Sequence, residues 1–72
     1  MKLSELIKKY EYGDVLSCDD DLGIALCGSM SIDEYHYYIY TSVFDGNVLA
    51  ACVRAFSDKE KAENAYNALV AV

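Results

Sequence analysis

The sequence predicts an α+β fold: a three-stranded antiparallel sheet, four-stranded if Asp14 to Cys18 joins it, with an N-terminal and a C-terminal helix packed on one face. Apolar residues recur at helical spacing near both ends of the chain, while period-two, β-branched and aromatic runs fill the middle. A glycine-bearing turn, FDGN, separates the last two of those runs. With 72 residues there is room for one small domain, residues 1–72, built on one core. At 54% hydrophobic and 25% charged residues, the composition lies well outside the regime of disordered chains.

Leu3, Leu6, Ile7 and Tyr10 share one side of a helix, and Glu5 stands four residues before Lys9 in the favourable orientation. Gly13 is the expected left-handed stop. DVLSC, residues 14–18, reads as a brief strand or an extended connector, and Asp19, Asp20 and Asp21 as a turn. From Leu22 the period becomes two, with Leu22, Ile24 and Leu26 on one side and Gly23, Ala25 and Cys27 on the other. MSIDE is the next connection, followed by a strand from Tyr35 to Phe44 and another from Val48 to Phe56.

Loop length between those two strands decides which residues share a face. A two-residue loop places Arg54 beside Tyr37, Ile39 and Val43, whereas a three-residue bulged loop with Gly46 or Asn47 left-handed joins Tyr35, Tyr37, Ile39 and Val43 to Leu49, Ala51, Val53 and Ala55. The second face is fully apolar, so the bulged hairpin is preferred. It leaves His36, Tyr38, Tyr40, Ser42, Val48, Ala50, Cys52 and Arg54 on the other face, which is either a partner site or covered by residues 11–21 or by a second copy of the chain. Ser57 and Glu60 match a capping box at the start of the last helix, whose apolar stripe is Ala62, Ala65, Tyr66, Leu69 and Val70.

The formal net charge is -6, and no Lys or Arg occurs from Tyr10 to Val53. Such a surface disfavours a nucleic-acid backbone or an anionic membrane as direct ligand and favours a basic protein. Cys18, Cys27 and Cys52 fit neither a disulfide framework nor paired metal ligands, and the first ten residues lack the apolar run of a signal peptide. Reduced thiols and a cytoplasmic location are the expectation.

Three adjacent carboxylates at Asp19, Asp20 and Asp21 offer the oxygen ligands that calcium prefers, yet an EF-hand loop starting at Asp19 needs glycine and glutamate where Ile24 and Met30 stand. His36 beside Cys27 or Cys52 raises a thiol-imidazole pair or a zinc site, but no oxyanion donor or orienting group accompanies it. No cofactor, metal site or enzymatic activity is expected. Base stacking on Tyr38 and Tyr40 is disfavoured, because Arg54 is the lone cation on that face. Tyrosines beside an arginine are instead the composition of a protein-interface hot spot.

In size, acidity and the order helix, antiparallel strands, helix, the chain resembles the small phage-encoded inhibitors of bacterial defence, the anti-CRISPR proteins among them. EYGD, CDDD, IDE and FDG are the acidic segments that match those with which several such inhibitors offer carboxylates in place of phosphates. The resemblance implies a non-enzymatic inhibitor that binds a basic, nucleic-acid-handling protein such as a CRISPR nuclease. Asp19, Asp20, Asp21, Asp33, Glu34 and Asp45 are the expected electrostatic contacts, with Tyr38 and Tyr40 as anchors. The alternative is a small homodimeric domain joined through the open sheet face.

Overall fold

A computed structural model describes residues 2–44 and 48–71. The order is α1 (Leu3–Lys9), β1 (Asp14–Asp19), β2 (Ile24–Ser31), β3 (Glu34–Phe44), β4 (Val48–Phe56) and α2 (Lys59–Val70). All four strands form one antiparallel sheet in the order β1-β2-β3-β4. DVLSC is therefore a true strand. The hairpin between β2 and β3 closes more tightly than MSIDE suggests, since Ser31 pairs with Glu34 and only Ile32 and Asp33 form its loop.

The two helices do not share a face of the sheet. Leu3 and Ile7 of α1 pack on Ala25 and Cys27, with Val15, Cys18 and Tyr40 around them. Ala62 and Tyr66 of α2 pack on Leu26 and Ile39, joined by Ile24, Tyr37 and Phe56. Residues 25 and 27 point opposite to residue 26 along a strand, so the helices sandwich the sheet. The expectation of helices on one face fails for a reason visible in β2. Both of its sides are apolar, one small (Ala25, Cys27) and one large (Ile24, Leu26), and an apolar side of either size must be covered.

Phe44 pairs with Val48 and Val43 with Leu49, as the three-residue loop requires; the predicted left-handed Gly46 or Asn47 lies outside the described residues. Further along, the register slips. Cys52 faces Tyr40 while Arg54 faces Ile39, leaving Val53 as an extra residue. This bulge turns Arg54 onto the α2 face, against expectation, and sends Ala55 to the side of Tyr38. Arg54 escapes burial because β4 is an edge strand. It is exposed, with its guanidinium 5.0 Å from the centre of the Phe56 ring. Val53 and Ala55 are likewise exposed rather than turned into the core.

Helix ends also differ from expectation. Glu11, at φ 54°, takes the left-handed conformation that ends α1, and Gly13 follows with its own positive φ of 143°. The Tyr12 amide donates to the Ile7 carbonyl and the Glu11 amide to the Lys8 carbonyl, the pair of bonds that ends a helix in a Schellman motif. At α2 the cap is Asp58, whose carboxylate accepts from the Glu60 amide at 2.9 Å, so Ser57 and Glu60 do not form the predicted box. Leu69, assigned to the buried stripe, is exposed, as is Tyr10 of α1.

Candidate functional site

The residues proposed to meet a partner fall in three places. Asp19, Asp20 and Asp21 form the β1-β2 turn, Asp33 and Glu34 lie at the opposite end of β2, and Tyr38 and Tyr40 stand between them on β3. Eight residues of β2 span roughly 25 Å at strand rise, so the acidic turns form two separate patches. Asp45 lies outside the described residues.

The triple-aspartate turn is partly committed to the fold. Asp19 Oδ1 accepts from the amides of Asp21 and Leu22 at 3.1 and 3.0 Å, closing the turn on itself. Asp20 reaches across to α1, where its carboxylate accepts from the Ser4 amide at 3.1 Å and the Ser4 hydroxyl at 3.0 Å. The Cys18 thiol donates to the same carboxylate at 3.4 Å. Asp20 thus ties the first turn of α1 to the β1-β2 turn, leaving Asp21 as the carboxylate of this group that makes no described side-chain bond.

These bonds hold the Asp20 carboxyl below the ordinary carboxylate value, chiefly through the Ser4 amide. A lowered folded-state value means stability that is complete above the unfolded carboxylate pKa and disappears as pH falls through the folded one. Asp20→Asn is therefore expected to lower the melting temperature at pH 7. The gap from the parent protein should close as pH drops through and below the carboxylate range. A gap independent of pH in thermal melts would show that the charge of Asp20 does not hold α1.

The part of this face that carries Ala25 and Cys27 is covered by α1. Ala25 and Cys27 are fully buried beneath Leu3 and Ile7, so this part of the face is not offered to a second copy, while Ser42 and Cys52 of the same face are exposed. Tyr40 stacks on Tyr12, with centroids 5.5 Å apart and planes 14° apart, and Tyr12 stacks on Tyr10 at 6.1 Å. Tyr38 and His36 extend the row, 6.4 Å from Tyr40 and 6.5 Å from Tyr38 respectively. Tyr12 enters this row because the Schellman turn folds the chain back over the sheet; sequence reading missed it, although the Y-E-Y spacing was the available signal.

Burial raises the Tyr40 hydroxyl pKa, and burial pushes the Cys27 and Cys18 thiols up to about 11, in Cys18 with help from the Asp20 hydrogen bond. At neutral pH both thiols stay protonated, which makes them poor nucleophiles. His36 lies opposite Ser29, not a cysteine, with Nε2 3.8 Å from Glu34. Among the described residues no group of three His, Cys, Asp or Glu side chains is arranged to hold a metal ion.

A shallow depression beside the β2-β3 turn is lined by Ile32, Asp33, Glu34 and His36. Ile32 is 96% exposed and has φ 50°, a conformation that β-branched residues rarely adopt. Sequence reading placed IDE in a connection for its carboxylates and gave the isoleucine no role. Its position between Ser31 and Asp33, in a turn where Gly or Asn is the usual choice, was the overlooked signal.

No family model, curated protein or solved structure matches the chain. No helix among the described residues is long and apolar enough to cross a membrane.

Proposed function

We propose that this protein is a non-enzymatic interaction protein that binds a basic surface of a nucleic-acid-handling protein and inhibits it, as small phage-encoded inhibitors of CRISPR nucleases do. The reading is carried by the isolation of its carboxylates. Glu11, Asp14, Asp21, Asp33 and Glu34 are exposed, and none has a Lys or Arg within ion-pair distance among the described residues. The sole such pair described, Lys59 with Glu63, lies on α2 outside this segment. Exposed carboxylates without counter-charges repel one another, and a basic partner relieves that repulsion while being steered into contact. Because the two acidic turns stand at opposite ends of β2, the partner surface is an extended basic groove or two basic patches, not one small pocket.

Asp21, Asp33 and Glu34 are the residues to reverse, since their carboxylates accept no hydrogen bond from the described residues. The triple change Asp21→Lys, Asp33→Lys, Glu34→Lys is expected to keep the melting temperature within a few degrees. It should weaken binding to the purified partner, found by capture from the native host, by about tenfold or more. Affinity should also fall with added salt, and nucleic acid should compete. A partner of acidic character, or an affinity indifferent to salt and to the reversals, sinks the reading.

A further inference from the structure

We propose that Ile32 is an apolar plug that enters a hydrophobic socket in the basic surface of the partner, with Asp33 and Glu34 pairing at the socket's rim. This rests on the acidic-surface reading above and adds the element that would confer close-range affinity. Ile32 is the most exposed of the large apolar residues described, and it occupies the first position of a two-residue hairpin loop with positive φ. A β-branched residue there strains the backbone, and a 96% exposed side chain recovers almost nothing from packing within the monomer. Such a residue lowers the stability of its own fold, and its apolar surface is useful only to something outside it.

The neighbouring charges say what that is. Asp33 and Glu34 are exposed, and no Lys or Arg is described within ion-pair distance of either. Two carboxylates beside the plug, with the His36 imidazole 3.8 Å from Glu34 as their one described ionisable neighbour, repel an anionic lipid surface and a second copy of this chain, which carries a net charge of -6. They match a basic protein. An apolar anchor inside a rim of charge pairs is the usual anatomy of a strong small interface.

The test uses Ile32→Asn, which suits a left-handed turn, and Ile32→Leu, which keeps the apolar reach. Ile32→Asn should raise the melting temperature, whereas its affinity for the captured and purified partner should fall at least tenfold. Ile32→Leu should bind within about threefold of the parent. A photoreactive benzoylphenylalanine placed at position 32 should crosslink to that same partner. Unchanged affinity in Ile32→Asn, while the charge reversals still weaken binding, would overturn the plug and leave the acidic reading intact. Loss of neither would remove both. The plug is also overturned if crosslinking joins only two copies of this chain, if it joins nothing, or if Ile32 directs binding to phosphatidylcholine vesicles with or without phosphatidylglycerol.

Discussion

Ile7→Ala is expected to destabilise the protein as much as Leu26→Ala, by about 2 to 5 kcal/mol each, the range for emptying a buried aliphatic site. Ile7 is fully buried and Leu26 is 1% exposed, yet they belong to different cores on opposite faces of the sheet. For 72 residues the whole stability is on the order of 4 to 11 kcal/mol, so either change removes a large share of it. Equal costs, measured as shifts of the urea midpoint at constant slope, are the signature of a sheet buried on both sides. A cost below about 1 kcal/mol for Ile7→Ala alone would mean that α1 is not docked. The sheet face beneath Leu3 and Ile7 would then be available to a partner after all.

Gly28→Ala is the second large effect. Gly28 sits in β2 where the Tyr35 ring crosses the strand, and a methyl group there would fall on the ring's outer carbons and hydroxyl. That ring passes over Gly28 to donate its hydroxyl to the Asp14 carboxylate at 3.3 Å, linking β3 to β1 across the strand between them. The substitution must expel the ring and break the link, at an expected cost of about 1 to 3 kcal/mol, the range for overpacking. Replacing the ring removes the conflict. Gly28→Ala should therefore cost much less in a Tyr35→Val background, and a double-mutant cycle by urea denaturation measures the difference. Equal costs in both backgrounds would show that the ring does not lie over Gly28.

Turn and cap chemistry shows how much was legible and where legibility stopped. The three-residue span between Phe44 and Val48 followed from the wish to keep one face apolar, and the pairing near that loop agrees. Six residues after Val48 the same reasoning failed at Arg54, because a bulge at Val53 costs little on an edge strand and cannot be read from alternation. Similarly, Asp20 reads as a free surface charge until the chain brings Ser4, sixteen residues away, within hydrogen-bond reach. The aromatic row has the same character: Tyr38 and Tyr40 were singled out from the sequence, but Tyr12 joins them only because the turn at Glu11 reverses the chain.

What this sequence determined by itself is the set of elements and their local direction. Helical spacing of Leu3, Leu6 and Ile7, the β-branched and aromatic run of β3, and the two-fold period of β2 each depend on neighbours a few residues apart. Only the tertiary structure decided which face each helix covers. The small side of β2, with Ala25 and Cys27, resembles an unoccupied surface in one dimension; in three it is the shallow floor that lets Leu3 and Ile7 approach the backbone. The larger side, Leu26 with Ile39, takes Ala62 and Tyr66 of α2. A helix chooses its face by the volume that remains once all strands are paired, a sum over residues far apart in the chain, and no local period carries that sum.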